Sequence, residues 1–442
     1  MALADFEMLR AEISSFGLVR PVGRVVAVGG GTITVSGLSG VAALGDRVTV
    51  YFDQGAVLGG EVLALQAGRV MILPDRSAEG VAIGDRVELL GQTGIAPSDS
   101  WIGRVVDPFG RPLDGRPLER GETERPLRND PPPAAERGRL GARLETGLKA
   151  FNTLLPLVRG QRIGLFAGSG VGKSSLLAKF ATGVAADVVV IALIGERGRE
   201  LREFVESVLG PEGMARAVVV AATSDQSPLV RRRCAWAAMA VAEHFRDRGQ
   251  HVLFLADSIT RFAEAHREVA VAGGEPASLR GFPPSLSHQV MSLAERAGPG
   301  REGSGDITAV FSVLVAGSDM DEPVADILRG VLDGHVVLDR SIAERGRFPA
   351  VDLLRSVSRS LPAAASSAEN AMIAQARKYL GAYERSEMMI QAGLYVTGSD
   401  PLIDAAIRVW PRLDQYIGES EANDTASSFA DLFDLLAEAH PA

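Results

Sequence analysis

IGLFAGSGVGKSSLLAKF, residues 163–180, opens on an apolar run, Ile163-Gly164-Leu165-Phe166, that reads as a buried strand. A glycine-rich turn follows, Gly168-Ser169-Gly170-Val171-Gly172, and then Lys173-Ser174-Ser175. Leu176, Leu177 and Phe180 fall at helical spacing behind it. Strand, glycine loop, Lys-Ser and helix in this order predict a phosphate-binding loop. Glycines let successive backbone N–H groups turn inward around a polyphosphate, and the helix that follows aims its positive end at the same anion. Lys173 is expected to reach the β- and γ-phosphates of a nucleotide, and the Ser174 hydroxyl to ligate Mg²⁺. One position departs from the usual spacing: Ala167 stands where the first loop glycine is expected.

Composition sets the class. The 442 residues are enough for two or three domains, and 46% hydrophobic with 23% charged residues is ordinary for a globular chain. A net charge of −9 and 5% aromatics argue against a nucleic-acid-binding surface. The lone Cys234 excludes an intrachain disulfide and a cysteine-based metal cluster, and its helical surroundings predict a buried thiol. No apolar run is long enough to span a membrane, and the N-terminus lacks a basic-then-apolar leader pattern, so a cytoplasmic location is expected.

Residues 1–17 hold Phe6, Leu9, Ile13 and Phe16 at helical spacing. This is one apolar face, packed on its own domain or docked on a partner. Residues 18–92 are short Val-rich runs between Gly and Asp turns, the pattern of a small all-β barrel. Residues 92–140 read as connective, with Pro131 to Pro133 at their centre. Apolar strand candidates then alternate with helical stretches: Ile163–Phe166, Val188–Ile194, Val218–Ala221, Val252–Ala256, Thr308–Val315 and the weaker Val336–Leu338. That alternation predicts an α/β core with a mostly parallel sheet over residues 93–360. Residues 361–442 read as an α-helical C-terminal domain.

Three further groups carry chemistry. Asp257 ends the apolar run Val252–Ala256 and is placed to hold Mg²⁺ through its water shell, with helix capping as the alternative. Glu196 and Glu200, in Gly195-Glu196-Arg197-Gly198-Arg199-Glu200, follow another apolar run; hydrolysis needs a carboxylate to orient water, and the residues alone do not rank the two. Arg359, isolated, reads as either a structural ion-pair partner or an arginine donated to a neighbouring subunit.

Pro349-Ala350-Val351-Asp352-Leu353-Leu354-Arg355-Ser356-Val357-Ser358 resembles the P-A-x-D-x₃-S-x-S signature of the rotary ATP synthase α/β family. GSGVGKS, GERGRE and ADSITRF match that family in order and spacing. SDQSPLVRRR, LAERAG and DEPVADILRGVLDGHVVLDR resemble its type III protein export branch, the flagellum-specific ATPases in particular. The resemblance runs from about Val22 to Ala406 and implies a β-barrel, a RecA-like P-loop ATPase core and a helical C-terminal domain, assembled as a homohexameric ring. It implies that Glu196 is the catalytic glutamate, with Arg197 and Glu200 beside the γ-phosphate and the Mg²⁺ water shell. Arg261 matches the arginine behind the metal-binding Asp257. Phe348 takes the place of an aromatic that stacks on adenine, and Arg359 that of the arginine finger. Implied cofactors are ATP and Mg²⁺.

Implied partners are a stator-like regulator at residues 4–17, a central stalk-like protein, the export gate and substrate–chaperone complexes, at the inner face of the membrane and without nucleic acid. Ser174, where the synthase's catalytic subunit usually has Thr, and Asn152, where the family often has Asp, are departures alongside Ala167. The function expected is ATP hydrolysis driving flagellar protein export. Its rivals are the same motor in a virulence-type injectisome, a nucleotide-gated scaffold that does not need hydrolysis, and a Rho-type RNA translocase.

Overall fold

The structure, a computed structural model, describes residues 19–315 and 320–439. The helix expected over residues 4–17 lies outside them. Six strands come first: β1 (Val22–Gly29), β2 (Thr32–Ser36), β3 (Arg47–Phe52), β4 (Ala56–Gln66), β5 (Arg69–Pro74) and β6 (Arg86–Gly91). They close into a barrel in the order β1-β2-β5-β4-β3-β6, with β6 returning antiparallel to β1. Alternation explains it: in β5 every second residue, Val70, Ile72 and Pro74, points inward. Val25, Ile33, Val35, Val48, Val50, Leu58 and Val87 fill the interior.

The remaining strands form one eight-stranded sheet: β7 (Arg104–Val106), β8 (Arg162–Ala167), β9 (Val188–Glu196), β10 (Ala217–Thr223), β11 (Val252–Asp257), β12 (Ile307–Leu314), β13 (Gly334–Leu338) and β14 (Val351–Ser358). Their order is β14-β13-β8-β12-β11-β9-β10-β7. β8 lies parallel to both β12 and β13, β10 parallel to both β9 and β7, and β14 antiparallel to β13. The helices used below are α1 (Lys173–Gly183), α2 (Gly198–Glu203), α3 (Pro228–Asp247), α4 (Ile259–Ala272), α5 (Ser285–Glu295), α6 (Pro323–Val331), α7 (Ser367–Gln391), α8 (Pro401–Gly418) and α9 (Thr425–Ala437). Among the described residues no helix is long and apolar enough to cross a membrane.

Two strands were not legible in advance. β7 is three residues long and sits at the sheet edge, in a stretch read as connective. β14 buries Asp352, Ser356 and Ser358, so its sequence lacks an apolar run. Each serine hydroxyl has a backbone partner: Ser356 accepts from Val337 N–H at 3.0 Å, and Ser358 donates to the Pro156 carbonyl at 2.6 Å.

The chain forms two compact units. One holds residues through 131 with 188–248 and 256–296; the other holds 132–187, 249–255 and residues from 297 onward. In the second unit, α7 begins with a capping box in which Ser366 and Glu369 bond each other's backbone N–H. Buried Asn152 accepts from Thr146 N–H and Oγ1 at 3.0 and 2.9 Å and donates to Ser428 Oγ at 3.2 Å. An ionised carboxylate there could not donate, which accounts for the amide at this position. Lys149 Nζ bridges Glu419 and Asp431 at 2.6 and 2.7 Å. In the first unit, Cys234 is wholly buried on α3, with its thiol near the carbonyls of Val220 and Leu193, and burial pushes its pKa up.

His266 on α4 ties two helices of the first unit. Ser285 Oγ donates to Glu275 Oε2 at 2.6 Å, so His266 Nε2, 2.7 Å from that Oγ, carries the ring proton and donates it. Nδ1 is buried and has no partner among the described residues. Burial, helped by Arg232 and Arg128 and opposed by Glu275, pushes the His266 pKa down from 6.5 to about 4. The unfolded chain therefore binds this proton first as pH falls, and stability should be lost from pH 6.5 toward about 4. Denaturant unfolding across that window should show a steeper loss in the wild type than in His266→Gln, since His244, His251 and His335, also lowered by burial, keep their share; parallel curves would remove His266 from the acid response.

Candidate functional site

The glycine loop follows from where β8 stops. Ala167 is the strand's last residue, extended and wholly buried, so the first loop position needs no left-handed backbone and alanine fits it. Further on, Gly170 has φ +77° and Gly172 φ +86°, both in the left-handed region. Gly172 is the N-cap of α1, and among the described residues no side chain caps that helix. Its first-turn N–H groups face the loop as an anion-binding end. Val171 is buried and pins the loop, while Leu176, Leu177 and Phe180 anchor α1, with Phe180 edge-on to Phe151 at 4.9 Å. Phe348 flanks the loop: a Cβ placed on Gly172 would come within 3.1 Å of its ring. Phe348 is 50% exposed, a large aromatic left open beside an anion-binding turn.

In the other unit, β9 ends on Glu196. Between Ile194, opposite Ala222, and Glu196, opposite Thr223, one extra residue bulges out, Gly195 at φ +69°. A Cβ there would sit 3.4 Å from Arg231 and 3.5 Å from Arg261. The bulge reverses the face Glu196 would otherwise take, so a glycine aims the carboxylate. Arg197, the N-cap of α2, donates to Glu200 Oε1 at 2.8 Å.

Asp257 ends β11, 3% exposed. The hydroxyl of Ser258, not the Asp257 carboxylate, caps α4 by accepting from Arg261 N–H, so the capping alternative for Asp257 does not hold. Arg261, half exposed on the first turn of α4, donates to Glu264 Oε2 at 2.8 Å. That bond chiefly raises its pKa, and the charges of Glu264, Glu196 and Glu200 add to it. The first unit thus gathers Glu196, Arg197, Glu200 and Arg261. Glu264 was not singled out in the sequence, although Arg-x-x-Glu recurs at Arg197–Glu200 and Arg261–Glu264.

Arg359 lies in the same unit as the glycine loop but at the other end of its strand. Its N–H donates to the Asp333 carbonyl at 3.0 Å, and Asp333 N–H donates to the carbonyl of Arg162, the first residue of β8. The loop starts where β8 ends, at Ala167, roughly 17 Å further along at 3.3 Å per residue. Arg359 is exposed, its guanidinium donates to the Arg329 carbonyl at 3.3 Å, and among the described residues no carboxylate pairs with it.

The model of the ATP synthase alpha/beta family nucleotide-binding domain matches residues 147–358, and that of the T3SS EscN ATPase C-terminal domain matches 365–438. The flagellum-specific ATP synthase of Caulobacter vibrioides is 44% identical over 94% of this chain and 95% of its own length. That of Salmonella typhimurium is 41% identical over 94% and 92%. Among solved structures, the assembled ATPase EscN of the enteropathogenic E. coli type III secretion system superposes with a TM-score of 0.86 at 35% identity, over 94% of this chain and 100% of that one. EscN in complex with its central stalk EscO gives 0.85 at the same identity and coverage.

Replacing Gly172 by Ala forces a side chain into the left-handed region against the Phe348 ring. Gly172→Ala should destabilise the fold by about 1–2 kcal/mol. Adding Phe348→Ala should recover only the steric share. Equilibrium denaturation of the three proteins checks this; a neutral Gly172→Ala would deny the loop its conformation.

Proposed function

The chain belongs to the ATP synthase alpha/beta family, and on that premise we propose that it is the ATP-hydrolysing ring motor of a flagellar type III protein export apparatus. In this reading, hydrolysis drives the unfolding and delivery of export substrates from the cytoplasmic side of the membrane. The higher identity to flagellum-specific relatives than to the secretion ATPase favours the flagellar system. ATP is the substrate. The amides of Gly168, Ser169, Gly170, Val171 and Gly172, with those of Lys173, Ser174 and Ser175, cradle its phosphates, and Lys173 neutralises charge on the transferring group. Phe348 offers its open ring to the adenine.

Mg²⁺ is assigned to the Ser174 hydroxyl and the Asp257 and Glu200 carboxylates, hard oxygen donors that suit it. When bound, it neutralises phosphate charge. Glu196, aimed by the Gly195 bulge, orients the attacking water and takes up its proton. Arg197 and Arg261 hold positive charge beside the acidic groups.

One observation carries the shared-site reading: Arg359 stands at the opposite end of β8 from its own glycine loop, exposed and, among the described residues, without a carboxylate. It serves the nucleotide of a neighbouring copy, and a ring of identical chains supplies every site with one. A central stalk-like protein and a regulator at residues 4–17 complete the expected partners.

Specific ATPase activity should therefore rise with protein concentration, because a neighbour completes each site. Arg359→Ala should abolish most of that rise, about 10³-fold or more at saturation, while a fluorescent ATP analogue still binds. Concentration-independent activity untouched by Arg359→Ala would end the shared-site reading. Glu196→Gln should stop hydrolysis, and export that survives it would favour a nucleotide-gated scaffold.

A further inference from the structure

Resting on the reading of Arg359 as the residue donated to a neighbour, we propose that Gln161, with Ser358, is its positioning residue. Gln161 precedes β8 and is wholly buried. Its Oε1 accepts from Val158 N–H at 3.0 Å, which fixes the orientation of the amide. Its Nε2 then donates to two acceptors, the Asp333 carbonyl at 3.0 Å and Ser358 Oγ at 3.1 Å. The Asp333 carbonyl also accepts from Arg359 N–H at 3.0 Å. A carbonyl oxygen has two lone pairs, and here one side-chain amide and the arginine's own backbone take both.

Ser358, the residue before Arg359, is held from the other side. Its hydroxyl donates to the Pro156 carbonyl at 2.6 Å and lies 2.8 Å from Ser360 Oγ. Gln161 thus grips the arginine's backbone twice, through the neighbour Ser358 and through the carbonyl that Arg359 itself bonds. The Asp333 carboxylate is fixed in turn by Arg162, whose N–H reaches Oδ2 at 3.0 Å and Nε at 3.1 Å.

This frame differs from ordinary core satisfaction in what it surrounds. Gln161, Ser358 and Ser360 are buried and Asp333 is half-buried, yet the side chain of Arg359 is exposed and donates to a backbone carbonyl, with no carboxylate paired to it among the described residues. A rigid root under a free charged tip suits a residue that must enter another site along one path. The frame sits on β8, the strand whose other end carries the glycine loop, so it holds the arginine in register with that strand. The last serine of the P-A-x-D-x₃-S-x-S signature, unexplained by nucleotide chemistry, acquires a role here.

Gln161→Met keeps the side chain's length and removes the bonds to Val158, Asp333 and Ser358; Ser358→Ala leaves those to Val158 and Asp333 and serves if the first variant does not fold. Steady-state and single-turnover hydrolysis should be measured at concentrations where the wild type is fully active, with and without Arg359→Ala. Misplacing the arginine should lower kcat by about tenfold, with KM and binding of a fluorescent ATP analogue unchanged. In the Arg359→Ala background, the same substitutions should cause no further loss, because they act through that side chain. An equal fractional loss in both backgrounds, or a lower melting temperature with kcat intact, would make the frame purely structural. If Arg359→Ala alone leaves the rate unchanged, the shared-site reading falls and this inference with it. If Arg359→Ala abolishes the rate while both frame variants keep it, only the positioning role falls.

Discussion

A buried parallel strand has two ends that cannot meet, and β8 carries the glycine loop at one and the root of Arg359 at the other. Its hydrogen bonds to β12 and β13 hold it in the interior of the sheet. The glycine loop leaves from its carboxyl end, where the first N–H groups of α1 are uncapped. The Gln161–Asp333–Ser358 cluster grips its amino end and roots Arg359 there. The strand's rigidity forbids one chain from bringing both to a single phosphate. On the role proposed for Arg359, a complete site needs a second copy, and the geometry of the strand is what imposes it.

Around that constraint, glycine does much of the aiming. The left-handed turns at Gly170 and Gly172 shape the loop. The bulge at Gly195 turns Glu196 to the face it occupies. Charged groups are then set in short local pairs, Arg197 with Glu200 and Arg261 with Glu264. Such half-exposed pairs contribute a few tenths of a kcal/mol each. The arrangement is therefore firm in its backbone and loose in its charges.

Much of this was legible in the sequence because its elements are strongly patterned. The alternating Val-rich runs of the barrel, the apolar runs of β8 to β12 and the helical C-terminal segments each carry one clear period. The strand, glycine turn and helix of residues 163–180 were legible because glycines and Lys-Ser stand in fixed order between two apolar patterns. β14 was not, because its interior is polar: Asp352, Ser356 and Ser358 satisfy backbone groups, and periodicity counts only apolar residues. Gln161 was equally silent, since a buried amide looks like any surface residue in the sequence. The bulge at Gly195 left only an ordinary glycine, whose φ the sequence does not print. Asn152 and Ala167 looked like departures and prove to be fits, one to a hydroxyl that needs a donor, the other to a strand end that needs no glycine.

The sealed thiol of Cys234 has a practical consequence. It is the chain's single cysteine, it has no exposure, and burial keeps it protonated. The natural chain is therefore silent toward maleimides and spin labels while folded. A cysteine introduced at any exposed position would be its sole reactive handle, and a label carried there would report from one known place on every chain.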